Sequence, residues 1–345
     1  MRIGRVEWKG RVPPLFLAPM EDVSDAAFRR LCREMGADAV VTEFISSEAL
    51  IRGVEKSWWK AQVWDEERPV GIQIFGGEAE SMREAARLIE KVNPDWVDIN
   101  YGCPVTKVVC QGAGAGILRD IDRMEYLTSE VVKSTSLPVT VKTRLGWDAS
   151  QIRILEVAER LQRVGIAALT VHARTRADGY SGEARWEWIG LLKAQSSIHI
   201  PIIGNGDIDS PQKAWTLYHL YKPDALMIGR AAIGYPWIFR EIKHYFQTGQ
   251  FLPPPSLEER IYAIEKHLRY ALRLLPESPR GIVLTLRRHY AGYFRGLPSA
   301  KKLRLLLMEA NTPDELHRLL ERLPRIYLTK EAEGFAADST PLKRF

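Results

Sequence analysis

Short runs rich in Val, Ile and Leu recur from Leu15 onward. They read LFLAPM (from Leu15), AVVTEF (from Ala39), PVGIQIF (from Pro69), WVDINYG (from Trp96), PVTVKTR (from Pro138), ALTVHAR (from Ala168), PIIGNGD (from Pro201) and ALMIGRA (from Ala225). Each is followed by a stretch with helical spacing of its apolar residues, as in AESMREAARLIEKV and ILEVAERLQRVG. Strand-then-helix units repeated in this way predict an α/β fold, a closed parallel (β/α)8 TIM barrel. An open doubly wound sheet is the competing arrangement. The longest interval between run starts, Trp96 to Pro138, follows the fourth run. That loop, GCPVTKVVCQGAGAG, therefore holds extra chain beyond a plain turn.

After Phe246 the pattern changes. QTGQFLPPPSLEER contains three prolines in succession, which cannot continue a helix and mark a linker. Beyond it LEERIYAIEKHLRYALRLL, GIVLTLRRHYAGYFRGL, AKKLRLLLMEA and TPDELHRLLERL have helical periodicity and no strand pattern. The expected organisation is a barrel over residues 1–247, a linker over 248–257, a small all-helical domain over 258–328 and a flexible tail over 329–345.

Composition narrows the class. The 345 residues are 46% hydrophobic and 27% charged, and no apolar run approaches the roughly 18 to 20 residues of a membrane span. Met1 leads into a charged, strand-like start without an apolar leader, so a cytoplasmic protein away from membranes is expected. Three cysteines, Cys32, Cys103 and Cys110, make neither an even disulfide set nor a metal-binding spacing, which fits a reduced compartment and no metal. The net charge of +6 equals the surplus of cations over acids between Phe251 and Leu328. Ser278 to Met308 carries Arg280, Arg287, Arg288, Arg295, Lys301, Lys302 and Arg304 and no acid at all.

In a barrel the reactive groups stand at the carboxyl ends of the strands. Those ends hold Pro19 and Met20, Glu43, Gln73, Asn100, Lys142 and Arg144, His172 and Arg174, Asn205 and Asp207, and Gly229 and Arg230. Polar groups there, in runs otherwise apolar, are costly to bury without partners, so a stability role alone does not explain the set. The seventh and eighth runs end in GNGDI and IGRAA, whose glycines and amides suit a phosphate, with Arg230 adding charge. Gln73 and Asn100 offer paired donors and acceptors to the amide edge of a heterocycle, and Lys142 can hold negative charge on a reduced ring, a description that suits a flavin. GAGAG (Gly112 to Gly116) trails a cysteine loop, not the first turn of a dinucleotide fold, and reads as loop flexibility. Cys103, between Gly102 and Pro104 directly after the fourth strand, carries a thiol mostly protonated at neutral pH, which can serve as a proton donor as readily as a nucleophile. Cys110 and Cys32 read as packing residues. RRHYAGYFRG interleaves Arg287, Arg288, His289, Tyr290, Tyr293, Phe294 and Arg295. This suits RNA, whose phosphates take cations and whose bases stack on aromatics, while an amphipathic helix with aromatics on its core face remains the alternative.

APM, QIFG, DINYGCP, VKTRLGW, TVHARTR, GNGDI and LMIGRAAIGYPWIFREI together resemble the tRNA-dihydrouridine synthases, most of all their bacterial B-type branch. The resemblance runs in order from Met1 to about Phe246, with a looser match to that family's helical RNA-binding domain. It implies an FMN flavoprotein, a flavin-dependent oxidoreductase acting on the CH–CH group of uridine, that reduces the 5,6 double bond of D-loop uridines in tRNA with NADPH. It further implies Cys103 as general acid, Pro19, Met20 and Glu21 beneath the flavin, Gln73, Lys142 and His172 at its ring, and Asn205, Gly206, Asp207, Gly229 and Arg230 at its phosphate. Asn100, Arg144 and Arg174 would face the substrate, and Arg287, Arg288 and His289 would meet tRNA. No obligatory protein partner is expected. Two positions depart from the usual pattern: Glu21 and Asp22 replace small residues after Pro-Met, and Arg288-His289 replaces a Lys-His pair, which changes the geometry. A flavin barrel reducing a free pyrimidine, and an RNA-binding barrel without flavin, are the competing readings.

Overall fold

The computed structural model describes residues 1–332. Eight parallel strands form the barrel: β1 (Leu15–Leu17), β2 (Ala39–Val41), β3 (Val70–Phe75), β4 (Trp96–Tyr101), β5 (Val139–Arg144), β6 (Ala168–His172), β7 (Ile202–Asn205) and β8 (Ala225–Ile228). β8 pairs with β1 through Met227 and Phe16, which closes the sheet and settles the arrangement against the open one. A short hairpin, Arg2–Ile3 against Val6–Glu7, covers the amino-terminal end. There Trp8 packs on Phe16 with ring centroids 5.3 Å apart.

Alternation along the strands sorts the side chains. Val97 and Ile99, Val139 and Val141, and Leu169 and Val171 belong to the core shared with the surrounding helices. Their alternates, Asp98 and Asn100, Thr140 and Lys142, and Thr170 and His172, share the opposite face of the sheet. The register then sets Asp98 beside Thr140, Asn100 beside Lys142, and Arg144 beside His172. Period and register together thus gather the polar residues at one end of the barrel.

The helices that wrap the barrel include α1 (Ala26–Glu34), α2 (Ala79–Val92), α3 (Ile121–Ser134), α4 (Ile154–Arg163), α5 (Glu187–Ala194), α6 (Pro211–Tyr221) and α7 (Ile238–Thr248). Gly249, in the left-handed conformation, ends α7. After the prolines follow α8 (Leu257–Leu274), α9 (Pro279–Leu286), α10 (Ala300–Leu307) and α11 (Pro313–Ala332). Ser256 and Glu259 form a capping box that starts α8. α11 continues past Leu328, so the helical region is longer than its sequence pattern suggests. The remainder of the expected tail, from residue 333, lies outside the described residues. Among the described residues no helix is long and apolar enough to cross a membrane.

The helical region packs on the barrel through α8 and α1. Lys266 pairs with Glu34 at 2.5 Å, and Phe28 stacks against His267 and His289, with centroids 5.6 and 4.6 Å away. The buried Arg260 guanidinium donates to the carbonyls of Pro255, Tyr293 and Arg295 at 2.8, 2.6 and 2.9 Å. Backbones meet directly as well: a Cβ on Gly292 would lie 1.9 Å from the Ile233 carbonyl oxygen, and one on Gly234 1.9 Å from that of His289. Only glycine permits this approach.

Candidate active site

Cys103 follows the end of β4 and is held by its own backbone. Its amide and that of Gly102 both donate to Asn100 Oδ1 at 2.9 Å. Asn100 in turn donates from Nδ2 to Gln73 Oε1 at 2.8 Å, and Gln73 donates from Nε2 to Asp98 Oδ2 at 2.6 Å. Thr140 supplies a hydroxyl to Asp98 Oδ1. The thiol packs among Val108, Ala113, Phe44 and Phe75, and the Cys103 carbonyl accepts from the Ala115 amide at 3.0 Å. A Cβ on Gly114 would lie 2.9 Å from that carbonyl. The GAGAG segment is therefore close packing beneath the cysteine loop, a correction to its reading as loop flexibility.

Burial raises the Cys103 thiol pKa, against the opposing pull of the Val105 amide and the Arg144 charge, so it stays protonated at neutral pH. Lys142, its electrostatic neighbour, is lowered to about 8 by burial and then by Arg144, with Asp98 acting in the opposite sense. Its ammonium makes no hydrogen bond among the described residues. His172 is driven well below its ordinary value by burial and by Lys142, Arg144, Arg174 and Arg230, so its ring is neutral. Burial raises Asp98 to about 6, tempered by Thr140, Gln73 and Lys142.

Beside these groups opens a cavity of about 1020 Å³. Pro19, Met20, Lys142 and His172 line it, together with Asn205, Gly206, Asp207, Gly229 and Arg230. Gly206 has φ +126, and a Cβ there would meet Ala184 Cβ at 2.9 Å and His172 Cδ2 at 3.2 Å, so the turn tolerates only glycine. Asp207 accepts from Arg174 at 2.7 Å, the Ala184 amide at 2.9 Å and Arg230 at 3.1 Å. Burial opposes its charge, yet the Arg174 and Ala184 hydrogen bonds outweigh that and hold the carboxyl below the usual range. Asp207 therefore anchors Arg174 and Arg230, and all three line the cavity.

Several expectations need correction. The Glu21 side chain pairs with Lys60 at 2.5 Å, which leaves to its backbone the expected place beneath a flavin. Gln73 is fully buried behind the wall, with its amide engaged by Asp98 and Asn100. Asn100 spends its side chain on Gln73 and the cysteine loop instead of facing a substrate. Arg144 donates to the carbonyls of Gly102, Thr175 and Gly179 at 2.8, 2.9 and 2.8 Å, and Arg174 to those of Ser181 and Gly182 at 3.2 and 2.6 Å. Both are loop clamps. His289 is completely buried between Phe28 and His267, with neither ring nitrogen hydrogen-bonded, so it cannot reach RNA from there. Tyr290, Tyr293 and Phe294 are buried too, which upholds the amphipathic alternative for the aromatics. Arg287 is held by the Ala310 carbonyl at 2.9 Å, whereas Arg288 is exposed and lines a small junction cavity of about 90 Å³ with Asp25 and Lys60. Cys32 is buried as expected, but Cys110 is exposed and not a packing residue.

The structure gives three residues places that the sequence does not announce. Tyr180 lies on the cavity wall, with Arg144 and Arg230 5.6 and 4.9 Å from its ring centroid. It sits in a loop with no periodic signal. Arg295 reaches the same cavity from the helical region, a placement only tertiary structure reveals. Asp98 had a signal: it stands two positions before Asn100, on the same face of β4.

Comparison with known proteins sets this site in context. The family model described as "Dihydrouridine synthase (Dus)" matches residues 16–331. A tRNA-dihydrouridine synthase B of Pseudomonas aeruginosa is 41% identical over 290 residues, covering 84% of this chain and 86% of the relative. The tRNA-dihydrouridine synthase B of Pseudomonas putida is 40% identical over 304 residues, covering 88% of each chain. A probable tRNA-dihydrouridine synthase 1 of Synechocystis is 36% identical over 322 residues, 93% of this chain and 88% of the relative. Among solved structures, histamine dehydrogenase from Rhizobium sp. 4-9 superposes with a TM-score of 0.55 at 14% identity, over 78% of this chain and 50% of that one. Morphinone reductase in complex with tetrahydroNAD gives 0.50 at 15% identity, over 75% of this chain and 92% of that one. At such identities the likeness is one of fold.

Proposed function

The chain belongs to the dihydrouridine synthase family, and on that premise we propose that it is a flavin-dependent tRNA-dihydrouridine synthase. In this reading it binds FMN in the barrel and reduces the 5,6 double bond of D-loop uridines in cytoplasmic tRNA, with NADPH as electron donor. The observation that carries it is Cys103, fixed by its backbone at the end of β4 with a protonated thiol, close to Lys142, which lines the cavity.

The cavity suits FMN on its donor set. Its lining offers the backbone of Gly206 and Gly229 with Arg230 for a phosphate, and neutral His172 and the Lys142 ammonium for the ring system. Pro19 and Met20 would support the ring by backbone and by contact, and Asn205 is fixed by a 2.8 Å bond to the Met227 carbonyl. The flavin, when reduced, supplies hydride to carbon 6 of uracil. Cys103 gives the proton to carbon 5. Lys142 stabilises the negative charge that builds on the uracil in between. Arg144 and Arg174 hold the loop from Thr175 to Gly182 that closes one side of the site.

A uridine within folded tRNA must be extruded to reach this depth, at a cost of a few kcal/mol, roughly, in lost stacking. The helical region, with Arg288 and Arg295 exposed toward the barrel mouth, is assigned to the phosphates around it. Purified protein with FMN and NADPH should convert uridine to dihydrouridine in unmodified tRNA, read by mass spectrometry of the nucleosides, and should leave free uridine unreduced. A yellow protein that reduces free pyrimidine and leaves tRNA untouched would refute the assignment.

A further inference from the structure

The chain of side chains behind Cys103 has a direction, and both of its ends are fixed by chemistry. At one end the Gly102 and Cys103 amides can only donate, so the atom of Asn100 facing them must be its oxygen. At the other end an ionised Asp98 can only accept, so the atom of Gln73 facing it must be its nitrogen. The two amides between, Gln73 and Asn100, could each turn over in isolation at almost no steric cost. Linked as they are, Gln73 must present oxygen to Asn100, and Asn100 must present oxygen to the cysteine loop. Thr140 donates to the second Asp98 oxygen, which leaves that carboxylate no competing orientation. All four side chains, Asp98, Thr140, Gln73 and Asn100, are at least nine-tenths buried, so water does not randomise the chain.

The geometry points to Asp98 as a positioning residue for the reaction: acting through Gln73 and Asn100, it aims the loop that carries the Cys103 thiol. This inference rests on the reading of Cys103 as proton donor. Asp98 touches neither substrate nor cofactor in this account, and Gln73 serves here as a relay whose orientation is dictated from behind. With Asn in place of Asp98, either end of its amide can face Gln73. The Gln73 end of the relay is then no longer fixed, and only the Gly102 and Cys103 amides oppose an inverted Asn100, which would set its NH2 against two backbone N–H groups and release the loop.

The test is a swap of the carboxylate. Asp98→Asn should lower kcat for dihydrouridine formation on the order of a hundredfold, the scale of an ångström-sized misplacement of a reacting group, with KM for tRNA unchanged. It should also speed carboxamidomethylation of Cys103 by iodoacetamide, located by peptide mass so that Cys110 does not interfere. Adding Gln73→Glu to Asp98→Asn restores the sense of the relay: Asn at 98 donates to the new carboxylate, whose other oxygen still accepts from Asn100. The double variant should regain most of the lost kcat and the slow alkylation. If the double variant is as slow as Asp98→Asn, or if the loss lies in KM, the relay is refuted.

Should Asp98→Asn fail to fold, amide hydrogen exchange in the unmodified protein tests the same clamp. Slow exchange at Gly102 and Cys103 is expected, and exchange at the rate of free loop amides would overturn it. The two readings separate cleanly. Dihydrouridine formation that survives Cys103→Ala sinks the proton-donor reading, whereas loss in Cys103→Ala with normal kcat in Asp98→Asn sinks this inference alone.

Discussion

Between pH 7 and pH 9 the site should behave as a single titrating group, Lys142. Its pKa of about 8 arises because burial, and then Arg144, disfavour the ammonium. The sign follows directly: a lysine with a lowered pKa carries its charge below about 8 and loses it above. An ammonium of that pKa is protonated in roughly nine molecules in ten at pH 7 and in roughly one in ten at pH 9. The other groups of the site keep their state over most of that window. Cys103 is raised by burial and retains its proton, His172 is already neutral, and Asp98, at about 6, is already ionised. If the ammonium stabilises charge on the uracil, single-turnover formation of dihydrouridine by pre-reduced enzyme should fall about tenfold from pH 7 to pH 9. Lys142→Arg supplies the control, since a guanidinium stays charged throughout. Its rate should start lower, because the geometry differs, and then stay flat. A flat profile in the unmodified enzyme, or an alkaline fall that persists in Lys142→Arg, would refute the role given to Lys142.

The remaining predictions test other parts of the account. On the acid side the rate should fall below about pH 6, where Asp98, facing Gln73, Thr140 and Lys142, takes up a proton; a rate steady down to pH 5 would contradict it. Gly292→Ala would set a Cβ 1.9 Å from the Ile233 carbonyl oxygen, against about 3.3 Å for an ordinary close C···O approach. Denaturant titration should register a loss of roughly 1–3 kcal/mol, the usual cost of overpacking, and KM for tRNA should rise while flavin absorbance is kept. Glu67→Ala strands the buried Arg29, which Glu67 holds at 2.6 and 2.9 Å; a destabilisation of about 3–5 kcal/mol is expected from such a broken buried pair. Arg288→Ala should weaken tRNA binding and reduce the slope of log affinity against log salt by about 1; an unchanged slope would remove Arg288 from the phosphate contacts.

The barrel was legible because its signal is periodic. Eight apolar runs separated by helical spacing leave few alternatives, and the strand-end rule then picked out part of the cavity wall, including Lys142, His172, Asn205, Asp207 and Arg230. What the rule could not tell is how deep a strand-end residue sits. Gln73 and Asn100 are as polar as Lys142, yet Gln73, in register with Asp98, is engaged there, and Asn100, although beside Lys142, is drawn to Gln73 and the amides of the cysteine loop. The helical region misled for a different reason. Cations interleaved with aromatics look the same whether the aromatics stack on bases or fill a core, and only the packing of α8 against α1 places His289, Tyr290 and Tyr293 inside. That packing also means that cutting the chain after the barrel would strip the cover from Phe28, so point variants at the junction are the sounder probe. Tyr180 and Arg295 reach the cavity from a loop and from a distant helix, and local sequence holds no trace of either contact.

The central claim is that Cys103 delivers the proton to carbon 5. The most direct measurement is a single turnover of pre-reduced enzyme with unmodified tRNA, following dihydrouridine by mass spectrometry, for the unmodified protein and for Cys103→Ala. The account predicts dihydrouridine in the first case and a loss of at least about a hundredfold in rate in the second, the scale of a missing general acid, with flavin and tRNA still bound. Equal rates in the two proteins would contradict it.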